Sequence, residues 1–209
     1  MSTAENKKID VTVMYATHDA FRRDLERLVE AASAHRTESV RGGWKNFMDQ
    51  LHLHHTVEDA VLWPRVDAAV ANRPRDLELM AEMKAEHAQL DPLLDAVEKG
   101  FTENSADLAE RVRKLSVALG EHMKHEEASA LPLIQEVLTP KDWSAFRGAM
   151  ARKQGPKGAA IYIPWVMDGA SEEDRRKFLN AMPAPVGVLN RMFWESRYRK
   201  RNLWGVSSA

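Results

Sequence analysis

From Val11 onward, the apolar residues of this 209-residue chain recur at alternating spacings of three and four. This spacing predicts helices that each bury one stripe of their surface, and the alternation expected of strands is nearly absent. Four stripes follow one another, and each has a histidine within it. Their members are Val11, Met14, His18, Phe21, Leu25, Leu28 and Ala32, then Trp44, Phe47, Leu51, His54, Glu58 and Val61, then Met80, Met83, His87, Leu90, Leu94, Val97 and Phe101, then Leu108, Val112, Leu115, Leu119, His122, Glu126, Ser129 and Leu133. A polar group therefore lies on the face that each predicted helix should bury.

Polar or helix-breaking segments separate the stripes at about 36–43, 71–75 and 102–105. These segments are short enough to make successive helices antiparallel neighbours. The sequence therefore predicts an all-α fold, with an up-down-up-down four-helix bundle over residues 10–138. An irregular helical array is the alternative.

The composition changes after the fourth stripe. Thr139, Pro140 and Asp142 have the residue types of an N-cap, a first helical position and an acidic third position, which predict a further helix. Ser171, followed by three acidic residues, predicts another helix start. The rest of this segment is rich in glycine, proline and tryptophan, and about 70 residues are too few to bury a core independently. We therefore expect residues 139–209 to form a C-terminal helical cap packed on the bundle.

Composition excludes several classes of function. The 30 lysines and arginines nearly balance the 31 aspartates and glutamates, so the net charge favours neither nucleic acid nor an anionic membrane. The basic run from Arg197 to Arg201 is interpreted as a solvated helix face. The absence of cysteine excludes disulfides, thiolate-bound metals and iron–sulfur clusters. No secretion signal and no apolar stretch of about 20 residues is visible, so we expect a cytoplasmic protein, a monomer or weak homo-oligomer, whose partner is a small molecule.

Six polar residues of the stripes can meet in one layer. They are His18, His54, Glu58, His87, His122 and Glu126. Residues on antiparallel neighbours are level when they lie equally far from the shared connection. The midpoints between their positions on successive helices are 38, then 71 or 72, then 104 or 105, all within predicted connections. An error of three residues would displace a side chain by about 4.5 Å along its helix, so the coincidence indicates that the six side chains converge.

Two of the helices carry a His-x-x-x-Glu pair, which places an imidazole and a carboxylate one turn apart on the same face. Each pair can chelate a metal ion. Four neutral imidazoles with two carboxylates suit iron or manganese better than calcium, magnesium or copper(I), and zinc is a less natural alternative. Metal-free histidines that complete a hydrogen-bonded core are the remaining interpretation.

The second helix also contains a rival pair. His55 and Asp59 are four residues apart, like the pair on the stripe, but they continue Met48 and His52 rather than the apolar positions. We therefore expect the rival pair on the flank of the site, where it would orient a ligand. His125, three residues after a predicted ligand, receives the same interpretation.

The order His, His-x-x-x-Glu, His, His-x-x-x-Glu resembles the bacterial hemerythrin-like, or HHE cation-binding, family. The runs Glu58–Pro64 and Glu126–Pro132 are also similar to those that follow the glutamates of the family, and the resemblance covers about residues 11–138. The Glu-x-x-His pairs of ferritin-like di-metal proteins and the His-Glu-x-x-His helix of zinc proteases are absent. The resemblance implies a non-haem centre of two iron ions, bridged by both glutamates and by an oxo or hydroxo group.

Two departures from the family bear on function. Its invertebrate oxygen carriers place another histidine one turn after the third one, where this chain has Asp91, and their second carboxylate is an aspartate five residues after its histidine. One iron should therefore be more open, or take an oxygen ligand from elsewhere. Tyr162, in an apolar part of the cap, and Tyr15, one turn before His18, are the candidates, with packed aromatic side chains as the alternative interpretation.

The resemblance and its departures together predict a protein that binds and reacts with dioxygen, hydrogen peroxide or nitric oxide, as a peroxidase-like or catalase-like oxidoreductase. One alternative is an oxygen-sensing, redox-sensing or iron-binding module without turnover. Another is iron donation for iron–sulfur cluster repair, although proteins of that kind usually carry a cysteine-bearing N-terminal region that is missing from this sequence.

Overall fold

The computed structural model describes residues 9–34 and 36–205. Within these ranges all regular secondary structure is helical, which confirms the predicted all-α class. None of the described helices has both the length and the apolar character that crossing a membrane requires. Residues 1–8, which include most of the N-terminal segment that shows no secretion signal, and residues 206–209 of the predicted cap lie outside the described ranges.

The helices have the following bounds along the chain. They are α1 Thr12–Ser33, α2 Thr37–Val57, α3 Trp63–Ala69, α4 Pro74–Glu103, α5 Leu108–His125, α6 Leu131–Val137, α7 Pro140–Met167, α8 Glu172–Asn180, α9 Ala184–Leu189 and α10 Glu195–Lys200. Wide π-helical turns, Glu58–Leu62, Glu126–Ala130 and Asn190–Trp194, join α2 to α3, α5 to α6 and α9 to α10.

The long helices α1, α2, α4 and α5 pack on one another and bury the predicted stripes. α1 packs against α2 and α5, and α4 packs against α5 and α2. Their buried apolar side chains form two clusters, one containing Phe21 and Leu119 and the other containing Met14 and Met83. His18 is buried between Met14 of one cluster and Phe21 of the other. The predicted polar residues therefore form a layer that separates two apolar regions.

Wide turns interrupt both helices that carry a His-x-x-x-Glu pair. In each turn the amide of the closing residue, Trp63 or Leu131, bonds to the carbonyl of the glutamate five positions earlier. The next residue in both places is a proline, Pro64 or Pro132, which has no amide to donate. A wide turn before each proline accommodates one extra residue without ending the helix.

Because of the extra residue in each wide turn, the buried face just beyond the two glutamates differs from the predicted one. The three–four spacing predicts Val61 and Ser129 on the buried faces, but both are only half-buried. The following residues, Leu62 and Ala130, are fully buried in their place. Each wide turn has shifted the buried position next to the glutamate by one residue, which regular helical spacing cannot anticipate, whereas Leu133 is buried as predicted.

The first predicted connection is shorter than the sequence suggests. A connection is predicted over 36–43, whereas α2 already begins at Thr37. Gly42 and Gly43 are therefore helical, and a Cβ atom on Gly43 would lie 2.7 Å from the ring of Trp204. These glycines allow the C-terminal segment to approach α2 closely and do not form a turn.

Both predicted helix starts in the C-terminal segment are confirmed. The Thr139 hydroxyl accepts a hydrogen bond from the Asp142 amide, and the Asp142 carboxylate accepts one from the Thr139 amide. This reciprocal arrangement is a capping box at the start of α7. The Ser171 hydroxyl likewise accepts from the Asp174 amide at the start of α8.

Residues after 139 pack directly on the long helices. α7 packs against α1 and α2, and the indole Nε1 of Trp165 donates to the buried carboxylate of Asp24 on α1 at 2.7 Å. Burial raises the pKa of Asp24, although the neighbouring Arg23 guanidinium opposes this. Arg27 and Asp168 form a second link, at 2.7 Å. The C-terminal segment therefore shares the interior of α1 and α2, and its separation as a domain stays a prediction.

Candidate metal centre

The six predicted ligands all lie in the polar layer and all are buried, with relative exposures between 0% and 5%. His18 lies on α1, His54 on α2, His87 on α4 and His122 on α5, while Glu58 and Glu126 begin the wide turns after α2 and α5. Burial of so many ionisable groups is costly unless each of them has a partner. The contacts of the six side chains therefore decide what the layer can hold.

One group of potential ligand atoms forms where α1 meets α2. His18 Nε2 lies 3.4 Å from His54 Nε2 and 3.1 Å from Glu126 Oε2. Potential ligand atoms of these three residues all lie within 4.8 Å of one another. Two imidazoles and a carboxylate thus converge on one small volume.

A second group forms between α2, α4 and α5. His87 Nε2 lies 3.1 Å from His122 Nε2, and His55 completes a set whose ligand atoms lie within 4.8 Å of one another. The His55 ring stacks on His87, with centroids 3.9 Å apart, and meets His122 edge-on at 5.4 Å. This corrects the sequence-based placement of His55 on the flank. Adjacent residues of a helix point about 100° apart, so His54 faces α1 while His55 faces α4.

Glu58 lies between the two groups. Its Oε1 atom is 3.1 Å from His54 Nε2 in the first group, and its Oε2 atom is 3.8 Å from His87 Nε2 in the second. The two oxygens of one carboxylate therefore face different groups, an arrangement that can bridge two cations.

Three site histidines have an Nδ1 atom 2.8 Å from a carboxylate oxygen. The pairs are His18 with Glu127, His87 with Asp59 and His122 with Glu86. An ionised carboxylate can only accept, so a proton is assigned to each Nδ1 atom, and the Nε2 atom faces the layer. Asp59 is predicted from its spacing, whereas Glu86 and Glu127 are found only in the structure. Their one signal in the sequence is that each adjoins a predicted ligand.

The residues fit metal cations. With protons on Nδ1, the Nε2 atoms of His87 and His122 are two acceptors only 3.1 Å apart, and acceptors at that distance repel unless a positive charge lies between them. Both oxygens of Glu58 and of Glu126 are buried without a hydrogen-bond partner among the described residues. Neutral imidazole nitrogens and carboxylate oxygens without sulfur suit iron, manganese or zinc.

The pKa shifts of residues in the layer also indicate a site for a metal cation. Burial raises the pKa of Glu58 well above its ordinary value, and the Glu126 carboxylate raises it further. Burial and the neighbouring His18 lower the pKa of His54 to about 3, and burial lowers that of His55 well below its ordinary value. Burial also disfavours charge on His18, but the Glu126 and Glu127 carboxylates together outweigh burial and raise the His18 pKa to about 9. A metal cation would satisfy the same carboxylates by displacing protons.

The remaining predicted residues lie around the layer. The Tyr162 hydroxyl is 2.6 Å from Thr17 Oγ1, and burial raises the pKa of Tyr162 to about 12. Tyr15 is 41% exposed and Asp91 is also exposed, whereas the six predicted ligands are buried. His125 donates from Nδ1 to the carboxylate of Glu86, which also accepts from His122.

Comparison with known proteins gives one match. Residues 10–134, more than half of the chain, match the family described as hemerythrin HHE cation binding domain. No curated protein and no solved structure gives a significant match. The matched range contains all six predicted ligands, together with His55 and Asp59, and ends before α7.

Proposed function

Because this chain belongs to the hemerythrin HHE cation-binding family, we propose that it is a non-haem di-iron protein that binds and reacts with dioxygen, hydrogen peroxide or nitric oxide, with peroxide removal as its activity. The observation that carries the proposal is the state of the two glutamates. All four carboxylate oxygens of Glu58 and Glu126 are buried, no donor in the described part of the chain is in hydrogen-bond geometry with them, and imidazole nitrogens approach them to 3.1 Å.

The proposed ligands divide between two iron ions as the contacts suggest. His18 and His54 would hold one ion and His87 and His122 the other, with Glu58 and Glu126 shared between them. In this assignment α1, α2, α4 and α5 form the four-helix bundle, and each helix contributes one of these histidines. The pairing of Glu58 with both groups supports a shared carboxylate.

His55 is proposed as a fifth nitrogen ligand, on the side of His87 and His122. Its potential ligand atom lies within 4.8 Å of theirs. Burial lowers its pKa well below the ordinary value, so the ring offers a lone pair at neutral pH. His55 would thereby compensate for the histidine that the oxygen carriers have where this chain has the exposed Asp91.

When bound, iron supplies redox chemistry and Lewis acidity. The chain's own residues supply the surroundings. Phe21, Leu51, Leu90 and Leu119 pack on one side of the layer and exclude water from it. The outer carboxylates fix the rings of three histidines, and His54 lines a cavity through which a small molecule can approach.

Metal analysis and peroxide turnover test the proposal. The iron-loaded protein should hold two iron ions per chain and convert two molecules of hydrogen peroxide to one of dioxygen and two of water, with no added reductant. His54→Ala should lower the iron content and remove turnover. His52→Ala changes an exposed histidine of the same helix and should leave both unchanged.

The outcomes separate the parts of the proposal. A protein that retains no stoichiometric metal would overturn the di-iron assignment. A protein with two iron ions, but without peroxide turnover and without a spectral change on adding nitric oxide, would overturn the reaction. Reversible oxygen binding without turnover would replace it by a sensing or storage role.

His55 needs its own test, because its role in ligation differs from a packing role. His55→Ala should change the electronic absorption spectrum of the iron-loaded protein and weaken the binding of one ion. His52→Ala is the control, since His52 is an exposed histidine of the same helix and lies outside both groups. An unchanged spectrum and iron content in His55→Ala would contradict ligation.

A further inference from the structure

A cavity of about 540 Å³ lies beside the candidate metal centre, between α1, α2, α7 and α9. Buried Thr17 and His54 lie at its inner end, and the exposed Pro156 and Pro183 lie at its outer end. Cavities of roughly 300–1,000 Å³ hold organic ligands. Dioxygen, peroxide and nitric oxide have two heavy atoms each, so none of them requires this volume.

A break in α7 lies in the wall of this cavity. Gly155 has φ 63° and ψ 174° and interrupts the helix between two segments. The first segment contributes Phe146 and Met150 to the cavity, and the second contributes Ile163 and Tyr162. Both segments thus present side chains to one volume, on either side of the break.

The cavity wall is apolar with few polar groups. Val13, Met14, Phe146, Met150, Met182 and Val186 form much of the wall. The polar groups that face it include the hydroxyl pair of Thr17 and Tyr162, already bonded to each other at 2.6 Å. An apolar wall with a small number of placed polar groups is typical of ligand pockets.

Arg147 is the one lining residue with a fixed charge. Its guanidinium donates to the backbone carbonyl of Ala181, and it forms no ion pair with a carboxylate anywhere in the described ranges. It lies close enough to Tyr162 to counteract, in part, the burial that raises the Tyr162 pKa. Arg147 is half-buried, and a guanidinium at the wall of an apolar cavity, with no carboxylate partner among the described residues, is suited to a carboxylate at one end of an apolar molecule.

We propose that this cavity binds an apolar monocarboxylate of the fatty-acid type, with the carboxylate on Arg147 and the hydrocarbon chain along the apolar wall. The ligand would share the cavity with His54 and so reach the side of the candidate metal centre. The inference goes beyond the reaction with peroxide or nitric oxide, and it does not require that iron be present.

Calorimetric titration of the full-length, iron-loaded protein with dodecanoate and with dodecanol tests the proposal. Dodecanoate should bind, and dodecanol should bind about tenfold more weakly, because one charge-assisted contact corresponds to roughly that factor. Arg147→Met should weaken the binding of dodecanoate by about tenfold and leave the affinity for dodecanol unchanged. Arg147→Lys should retain part of the preference for dodecanoate over dodecanol. Arg152→Met removes an exposed arginine of the same helix that does not line the cavity and should change neither.

Equal affinity for dodecanoate and dodecanol in the wild-type protein would overturn the role of the carboxylate. Unchanged dodecanoate affinity in a folded Arg147→Met variant would overturn the role of Arg147. If neither dodecanoate nor dodecanol binds the wild-type protein, the cavity is not a site for such molecules. Iron content is measured on the same samples. The His54→Ala variant should still bind dodecanoate after it has lost iron. If His54→Ala loses dodecanoate binding while Arg147→Met retains it, the carboxylate binds the metal, which contradicts the proposal.

Discussion

Each imidazole at the candidate metal centre uses its two nitrogens differently. In His18, His87 and His122, Nδ1 donates to a carboxylate and Nε2 faces the polar layer. The carboxylate always belongs to a different helix or turn from the histidine it orients. The orientation of each ring therefore depends on contacts between helices. His54 differs, since its Nδ1 atom is buried without a hydrogen-bond partner among residues 9–34 and 36–205.

Removing one of these outer carboxylates should weaken metal binding without removing a ligand. Asp59→Ala takes away the acceptor of the His87 Nδ1 proton, which lies at 2.8 Å. We expect iron affinity to fall by about 10-fold to 100-fold, because the His87 ring is then free to turn. Competition with a soluble chelator measures this affinity.

The control for this prediction is Asp49→Ala. Asp49 is an exposed aspartate of α2 whose contact is with Lys45 of the same helix, so its removal should leave iron affinity unchanged. Equal loss of iron from both variants would show that general electrostatics, and not orientation of His87, explains the effect.

Convergence of the six polar residues could be predicted at this scale because two independent constraints agree. Helical periodicity places each residue on a buried face, and the short connections set its level. Their role as ligands stays a prediction. The position of His55 could not be predicted from the stripe, because it lies about 100° from the apolar face and is brought inward by its contact with His87 on another helix.

Helices and their starts are predictable at the scale of elements where local chemistry determines them. The capping box at Thr139 is an example, since both hydrogen bonds form between residues three apart. The wide turns are not predictable in the same way. Pro64 and Pro132 indicate that a helical amide is missing, but they do not say whether the chain kinks, stops or inserts a residue.

The break in α7 should depend on one glycine. Gly155 has a positive φ of 63° with ψ 174°, a region of backbone conformation that other residues essentially do not adopt. We expect Gly155→Ala to lower the free energy of unfolding by about 1–3 kcal/mol because of backbone strain. Urea denaturation measures the change.

Gly120→Ala is the matched control for Gly155→Ala. A Cβ atom would meet nothing within 4 Å at either position, so steric clash is excluded in both variants. Gly120 lies inside α5, where alanine should stabilise the helix by about 0.5–1 kcal/mol. Stabilisation of similar size in both variants would contradict the assignment of strain to Gly155.

Over the whole molecule, the polar layer is held together by residues from four helices. Without a cation, protons must compensate its buried carboxylates, as the raised pKa values of Glu58 and His18 indicate, and a bound cation that displaces them adds its binding free energy to the stability of the fold. Removal of iron by a chelator should therefore lower the Tm by roughly 5–10 °C, as expected for loss of a ligand present at about 100 times its Kd.

The same chelator treatment of a variant with both His54→Ala and His122→Ala should have little effect on its Tm. Equal Tm values for the iron-loaded and stripped wild-type protein would contradict coupling of metal binding to the fold.

Packing of the C-terminal segment on the long helices is the part of the molecule that sequence patterns predict least well. Gly42 and Gly43 suggest a turn when considered locally, because glycine often marks one. In the folded protein they lie in α2 and face Leu203 and Trp204, which are distant in sequence. A contact of this kind has no periodic signal, so only the tertiary structure distinguishes it from a turn.

The two glycines provide a matched test of this packing. A Cβ atom on Gly43 would lie 2.7 Å from the Trp204 ring and 2.8 Å from the Leu203 carbonyl oxygen, whereas one on Gly42 would lie 3.5 Å from the nearest atom of Leu203. Gly42→Ala should stabilise the protein by up to about 1 kcal/mol through helix propensity. Gly43→Ala should destabilise it by about 1–3 kcal/mol, because the C-terminal segment must move away from α2.

Urea denaturation measures both changes, and faster tryptic cleavage in the exposed basic run of α10 should accompany Gly43→Ala alone. If both variants gain stability and resist trypsin equally, the C-terminal segment does not pack on α2 as described.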